Sequence, residues 1–179
     1  MNYTIKKSKI IYEGKVFDIK VDEIEYDSGN SANREVVIHP GGAVVVPVTK
    51  ENKIVMVAQY RYPMNKNLLE LPAGKLDKGE DPLTCAAREL EEETGYRSNK
   101  VEKLGSIYTT PGYSSEELHI YAAVELEKGS HNREEGELGM EIFEYSIKEI
   151  EKMIAENRIV DGKTISGIFL YNGWVNKKA

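Results

Sequence analysis

The chain contains the stretch GKLDKGEDPLTCAARELEEETGY at residues 74–96, and this stretch carries complete start and stop signals for a helix. Asp81 is suited to cap a helix, and Pro82 to occupy its first position. Gly95 is suited to a left-handed C-cap. A helix is therefore predicted over residues 82–94. Its apolar stripe is predicted at Leu83, Ala86, Ala87, Leu90 and Thr94.

The same helix carries Glu89, Glu92 and Glu93 at positions i, i+3 and i+4, which crowd one face. Like charges at this spacing repel one another. Arg88 can pair with Glu92, but one arginine does not neutralise three carboxylates. A divalent cation does, and oxygen ligands without His or Cys nearby favour Mg²⁺ or Mn²⁺ over Zn²⁺. The alternative interpretation is a solvated, glutamate-rich helix face.

Length and composition favour one globular domain, or one domain with a subdomain, that lacks disulfides. The chain has 179 residues, one cysteine and a net charge of −6 at pH 7. Cys85 is predicted to be a small core residue. The acidic balance argues against nucleic-acid binding, so small molecules are the expected partners. No apolar run is long enough to cross a membrane or to act as a signal peptide, and a cytoplasmic location is predicted.

The N-terminal part of the chain is predicted to be a small antiparallel sheet. Residues 16–22 alternate in polarity, with a bulge expected where the alternation slips at Glu23. A turn at 27–30 and a strand at 33–39 follow. The domains are therefore predicted as an N-terminal β subdomain at residues 1–39 and a main domain at residues 40–179.

The main domain is predicted to be an α+β sandwich. Residues 43–48 and 54–61 are expected to form a buried strand pair. Further elements are predicted as strands at 101–108, 118–126 and 140–145, a polar loop at 127–139, and helices at 147–157 and 163–172, with Asp161 as a cap.

The stretch that opens at Gly74 has the spacing Gly-x5-Glu-x7-Arg-Glu-Leu-x-Glu-Glu-x-Gly-Tyr, and this resembles a complete Nudix box. The resemblance implies an α/β/α sandwich with a mixed sheet. It also implies hydrolysis of a diphosphate linked to another moiety. By position in the box, metal ligands are implied at the carbonyl of Ala73 and at Glu89, Glu92 and Glu93, with Glu92 and Arg88 counted among the catalytic residues. Glu80 and Arg88 match a pair that orients the glutamates.

A catalytic glutamate outside the box is also implied, in the acidic loop before the last strand. Glu137 matches best, because Gly136-Glu137 precedes an acidic-hydrophobic strand. Glu134 and Glu135 remain alternatives, and a merely solvated loop is a third.

The segments around the box resemble the branch of the Nudix family that acts on ADP-ribose and ADP-sugars. Pro111, downstream of the box, is typical of that branch, and the similarity runs from about Tyr12 to Trp174. Substrate contacts are implied at Arg34, Glu35, Arg61, Glu70, Pro111, Gly112 and Glu116. Glu117 is an alternative to Glu116, and either Phe17 or Tyr26 is expected to stack on adenine. A solvated strand pair or surface turn is the alternative for these positions.

The resemblance therefore predicts Mg²⁺-dependent hydrolysis of ADP-ribose to AMP and ribose 5-phosphate, with Mn²⁺ as a substitute metal. Alternatives are hydrolysis of another nucleoside diphosphate sugar and a non-catalytic module that binds ADP-ribose. Related enzymes exchange the N-terminal sheet between subunits, so a homodimer is expected, with a monomer as the alternative.

Overall fold

A computed structural model describes residues 2–129 and 139–178. The strands are β1 (Tyr3–Tyr12), β2 (Asp18–Tyr26), β3 (Ser31–Ile38), β4 (Gly42–Pro47), β5 (Lys53–Arg61), β6 (Lys66–Glu70), β7 (Ala73–Lys75), β8 (Tyr96–Arg97), β9 (Lys100–Tyr108), β10 (Glu117–Val124), β11 (Glu127–Lys128) and β12 (Glu141–Ser146). The helices are α1 (Pro82–Thr94), α2 (Ile147–Ala155) and α3 (Gly162–Lys178), and Tyr62–Met64 form a single 3₁₀ turn. The chain divides into two compact units.

Unit 1 comprises Met1–Gly41 and Tyr108–Glu117. Its sheet is antiparallel, as the sequence predicts, and has the order β1-β2-β3, in which β1 is a strand that the sequence analysis did not name. The β2–β3 turn contains Gly29 with φ of 82°, a left-handed conformation that glycine adopts without strain. The bulge expected at Glu23 lies instead in the facing strand: Ile5 pairs with Ile24 and Lys7 with Glu23, so β1 carries the extra residue.

Unit 2 comprises Gly42–Ile107 and Leu118–Ala179 and contains a mixed sheet in the order β7-β4-β10-β9. Strands β4 and β10 are parallel, whereas β4 and β7 are antiparallel. A second sheet has the order β12-β5-β6. The strand pair predicted between residues 43–48 and 54–61 is therefore wrong, because β7 and β10 already occupy both edges of β4. The two strands share only an isolated bridge between Val48 and Ile54.

Helices cover both faces of the mixed sheet in unit 2, which confirms the predicted α/β/α sandwich. Strand β4 is buried throughout, so its alternate residues enter two cores. Val44 and Val46 pack in the core that contains Ile150 of α2 and Ile168 of α3. On the opposite face, Ala43 and Val45 pack with three residues of α1, namely Cys85, Ala86 and Leu90.

Helix α1 has the bounds and caps that its sequence predicts. The Asp81 Oδ2 accepts hydrogen bonds from the amides of Leu83 at 3.0 Å and Thr84 at 3.2 Å. Gly95 ends the helix with φ of 70°. The buried face is rotated from the predicted stripe, however: Leu83 and Ala87 are exposed, whereas Glu89 and Glu93 are buried. Two of the three clustered glutamates thus belong to the buried face.

The C-terminal helices also form, and α3 is longer than the sequence predicts. Helix α2 begins with a capping box, in which Ser146 and Glu149 satisfy each other's backbone amides. Helix α3 continues past Gly173 because its last turns contact β9: the Trp174 Nε1 donates to Glu102 at 3.2 Å, and Lys178 pairs with the same carboxylate at 2.8 Å. Across the described ranges, no helix combines the length and apolar character needed to cross a membrane.

Candidate active site

Arg88 joins three carboxylates at the charged edge of α1. Its Nε and Nη2 donate to the two carboxylate oxygens of Glu80, each at 3.0 Å. Its Nη1 donates to Glu89 Oε1 at 2.6 Å and to Glu92 Oε2 at 3.0 Å. These bonds, above all those to Glu80, raise the pKa of Arg88, which stays protonated. The pair of Glu80 and Arg88 is therefore formed, and it holds two of the three helix glutamates.

The third helix glutamate, Glu93, is joined to strand β7 instead. Its side chain is almost completely buried, and its Oε2 accepts a hydrogen bond from the amide of Ala73 at 3.1 Å. Ala73 pairs with Val44 in the mixed sheet, so its backbone position is fixed. Ala73, the residue for which a carbonyl ligand is expected, thus lies beside the Glu93 carboxylate.

These side chains have the chemistry of a site for a divalent cation. Glu89 and Glu92 contact the same nitrogen of Arg88, and the Glu89 carboxylate packs directly on Gly74. The donors are all hard oxygens, which suit Mg²⁺ or Mn²⁺. Within residues 2–129 and 139–178, however, no three acidic, His or Cys side chains converge closely enough to hold a metal ion. The donor set fits such an ion by its chemistry, and Arg88 and the Ala73 amide already hold one oxygen of each of these carboxylates.

Two predicted substrate contacts, Arg61 and Glu70, pair with each other. The Arg61 Nε donates to Glu70 Oε1 at 2.9 Å and its Nη2 to Glu70 Oε2 at 2.7 Å, which is a bidentate ion pair. Glu70 is almost fully buried, whereas 37% of the Arg61 side chain is exposed. Hydrogen bonding to Glu70 raises the pKa of Arg61, and the charges of Glu93 and Asp161 add to the effect. Arg61 therefore lies within electrostatic range of the acidic helix.

Lys163 is a member of this cluster that sequence reasoning missed. Its Nζ contacts Glu70 Oε2 and also donates to Asp161 Oδ2 at 3.0 Å. The local signal was present, because Asp161 was correctly expected to cap α3 and accepts from the Thr164 amide at 3.0 Å. Lys163 and Glu70 are 93 residues apart in the chain, so spacing alone does not reveal their contact.

The remaining predicted substrate contacts lie in unit 1. Arg34 and Glu35 are exposed on β3. Glu116 accepts from the Thr109 hydroxyl at 2.7 Å and lies 3.4 Å from His39 Nδ1. The loop that contains Pro111 and Gly112 is attached to β3 through hydrogen bonds of Val37 with Tyr113 and Ser115.

The two aromatic candidates for stacking on adenine have different surroundings within unit 1. The Tyr26 hydroxyl accepts a hydrogen bond from Arg34, whose guanidinium also lies 5.9 Å from the Tyr26 ring centre. Phe17 packs against Tyr12, with 6.1 Å between ring centres. Tyr26 and Phe17 therefore each already contact another side chain of unit 1.

The predicted base Glu137, with its alternatives Glu134 and Glu135, lies outside the described residues. Cys85 behaves as the sequence predicts: it is fully buried in the core beneath α1. Burial, followed by the negative charges of Glu80 and Glu89, raises the pKa of the Cys85 thiol to about 12. The thiol therefore stays protonated at neutral pH.

Comparison with known proteins identifies the class to which this fold and its acidic helix belong. The NUDIX domain family matches residues 39–165. The chain belongs to this family.

Two bacterial relatives cover most of the chain. An ADP-ribose pyrophosphatase of Bacillus subtilis is 42% identical over 167 residues, which are 92% of this chain and 89% of that protein. A methanol dehydrogenase activator of Bacillus methanolicus is 44% identical over 164 residues, 90% of this chain and 88% of that protein. A GDP-mannose pyrophosphatase of Yersinia pestis is 35% identical over 163 residues, which are 83% of this chain and 78% of that protein.

The same fold occurs in a solved structure of an ADP compounds hydrolase. The two superpose with a TM-score of 0.89 over 100% of this chain and 97% of the other, at 19% sequence identity. This similarity confirms the fold class.

Proposed function

We propose that this protein hydrolyses the diphosphate of ADP-ribose to AMP and ribose 5-phosphate. The observation that carries the proposal is the intact acidic helix, in which Glu89 and Glu92 share one arginine and Glu93 is buried against β7. The 42% identity with an ADP-ribose pyrophosphatase supports the same substrate. A module that only bound ADP-ribose would have no need for all three glutamates.

Nudix proteins generally need a divalent metal ion, and we propose Mg²⁺, with Mn²⁺ able to replace it. Its ligands would be the carbonyl of Ala73 and the carboxylates of Glu89, Glu92 and Glu93. When bound, such an ion neutralises phosphate oxygens and activates water. The protein's part is to hold the carboxylates in place: Arg88 orients Glu89 and Glu92, while the Ala73 amide orients Glu93.

The proton of the attacking water is proposed to pass to Glu137, with Glu134 and Glu135 as alternatives. The Glu137→Gln variant tests this assignment, because an amide cannot accept that proton. We expect a fall in kcat with little change in KM. If Glu137→Gln keeps native turnover, the base lies elsewhere.

The proposed substrate contacts are those that the resemblance implies, and each is described within its own unit. Arg61, in unit 2, offers a partly exposed side chain, and the planar fork of its guanidinium suits diphosphate oxygens. The other proposed contacts are Arg34 and Glu35 toward the adenosine end, Glu116 toward the terminal ribose, and Glu70, Pro111 and Gly112. Arg34 is exposed on β3, while Glu116 is held by Thr109.

Product analysis tests the substrate. ADP-ribose, ADP-glucose and GDP-mannose should be compared at equal concentration in Mg²⁺. We expect AMP and ribose 5-phosphate from ADP-ribose, with the highest kcat/KM. A preference for GDP-mannose would replace the first proposal by its rival, which the 35% identity with a GDP-mannose pyrophosphatase favours.

A second candidate function is activation of a dehydrogenase, favoured by the 44% identity with a methanol dehydrogenase activator. The test adds this protein to methanol dehydrogenase and measures alcohol oxidation. Stimulation by the native protein, but not by Glu93→Gln, would link activation to the acidic helix. Absence of stimulation by the native protein would remove this candidate.

We also propose that the protein acts as a cytoplasmic homodimer. In support, β1 lies at the edge of its sheet and exposes large apolar side chains, among them Ile11 at 56% and Tyr12 at 52%. Sedimentation equilibrium tests the dimer. We expect the dimer mass for the native chain and the monomer mass for Ile11→Glu.

A further inference from the structure

Glu70 is a buried carboxylate with two cationic partners. It ends strand β6 and is 1% exposed. Arg61 donates hydrogen bonds to both carboxylate oxygens of Glu70. Lys163 contacts Oε2, the same oxygen that accepts from Arg61 Nη2. The negative charge of a buried carboxylate must be paired with a positive charge, but one cation with good geometry suffices. The second partner therefore calls for a physical explanation.

The two cations differ in how accessible they are. The Lys163 side chain is 12% exposed, whereas that of Arg61 is 37% exposed. Arg61 belongs to β5 and can reorient its long side chain toward solvent without disturbing the core. Lys163 is confined in the first turn of α3. One partner of Glu70 is therefore movable, and the other is fixed.

The position of Lys163 is fixed by a chain of hydrogen bonds. Asp161 accepts from Lys163 at 3.0 Å and from the Thr164 hydroxyl at 2.6 Å. The same hydroxyl accepts from the amide of Leu71 at 2.8 Å. Leu71 directly follows Glu70, so the start of α3 is joined to the backbone beside the carboxylate. Lys163 thus keeps its place next to Glu70 whatever Arg61 does.

We propose that Lys163 is a positioning residue that keeps Glu70 neutralised while Arg61 turns from Glu70 to a diphosphate ligand. The inference rests on the proposed function, since it concerns the same substrate. Without Lys163, Arg61 could bind phosphate oxygens only by leaving a buried carboxylate unpaired, which is strongly unfavourable. With Lys163, Arg61 changes partners at a much lower cost in free energy. Lys163 itself touches no substrate.

A purely structural role for Lys163 makes a different prediction. If Lys163 only attached α3 to the sheet, its loss would lower the thermal midpoint and would affect kcat and KM without regard to Glu70. The positioning role instead predicts a defect in substrate affinity that depends on the charge of Glu70. The two roles are separated by combining substitutions at Lys163 and Glu70.

The experiment measures kcat and KM for ADP-ribose in Lys163→Met, Glu70→Gln and the double variant, with thermal midpoints for each. We expect Lys163→Met to raise KM about tenfold with kcat within about twofold of native, because uniform binding is lost. In the Glu70→Gln background, no buried carboxylate is left unpaired when Arg61 turns to the ligand. Adding Lys163→Met should therefore change KM less than about twofold. Lys163→Arg should restore KM, and Lys177→Met, near the end of the same helix, is the matched control.

Each outcome decides the inference. An equal rise in KM in both Glu70 backgrounds, or a lower thermal midpoint with unchanged KM, would overturn it and leave the proposed function intact. A native protein that neither binds nor hydrolyses ADP-ribose would overturn the proposed function, and with it this role for Lys163.

Discussion

The carboxylate of Glu89 lies in the space that a side chain on Gly74 would need. A Cβ added to Gly74 would stand 1.7 Å from Glu89 Oε1 and 2.0 Å from its carboxylate carbon. Glycine is therefore required at position 74, because the side chain of Glu89, fifteen positions later, packs directly against the Gly74 backbone and leaves no space for a Cβ. This contact connects β7 to the acidic face of α1.

Gly74→Ala should fold but lose activity. The added methyl group displaces Glu89, whose flexible end can move, so we expect a modest change in thermal midpoint and a loss of metal-dependent turnover of about tenfold or more. Gly173→Ala is the matched control, because a Cβ there meets nothing within 4 Å. Native turnover in Gly74→Ala would show that the position of Glu89 is unimportant.

Arg88→Lys should lower turnover about 10- to 100-fold, because a lysine supplies a point charge and cannot hold Glu80, Glu89 and Glu92 in one planar geometry. Steady-state kinetics at saturating metal and substrate measures the effect. Arg97→Lys provides the control. Arg97 lies in β8 and pairs with Glu91, which is on the same helix as Arg88, but the Arg97 side chain is 63% exposed. Equal effects at the two positions would contradict a special role for Arg88.

The ion pair between Glu80 and Arg88 should stabilise the fold at neutral pH and lose this effect in acid. Hydrogen bonding from Arg88 is the main cause that lowers the pKa of Glu80 from its usual 4.5. A carboxyl whose pKa is lower in the folded state contributes stability that is complete above the unfolded pKa and is lost as pH falls through the folded pKa. Glu80→Gln should therefore reduce the free energy of unfolding in urea at about pH 7 more than at about pH 3. An equal reduction at both would refute the assignment.

Cys85 should be inert toward thiol reagents in the native protein. Its side chain is fully buried, and burial raises the pKa of the thiol to about 12, so almost no thiolate exists at pH 8. Reaction with a disulfide reagent, followed by absorbance, should be slow in buffer and fast in denaturant. Rapid labelling of the folded chain at pH 8 would mean that this part of the core opens readily.

The sequence was most informative where interactions are local. The caps of α1 at Asp81 and Gly95 follow from turn and helix chemistry within a few residues, and both form. The two-sided core around β4 follows from its unbroken apolar run. Strand pairing was harder to predict: β4 and β5 are neighbours in sequence, yet β4 pairs with β7 and β10.

Side-chain partners distant in sequence were the least predictable part of the site. Arg61 and Glu70 were identified separately by resemblance, but nothing in their spacing indicated that they form a bidentate pair or that Lys163 joins them. The burial of Glu89 and Glu93 was also missed. A helical pattern treats glutamate as a surface residue, and these two are compensated by Arg88 and the Ala73 amide.

AMP release from ADP-ribose, measured in parallel with ADP-ribose binding, tests the central proposal most directly. The assay compares the native protein with Glu93→Gln in Mg²⁺ and in Mn²⁺, and thermal midpoints confirm that both are folded. We predict metal-dependent AMP release by the native protein and a loss of at least about 100-fold in Glu93→Gln, which removes one carboxylate charge from the acidic helix. A native protein that binds ADP-ribose yet releases no AMP with either metal would contradict the account.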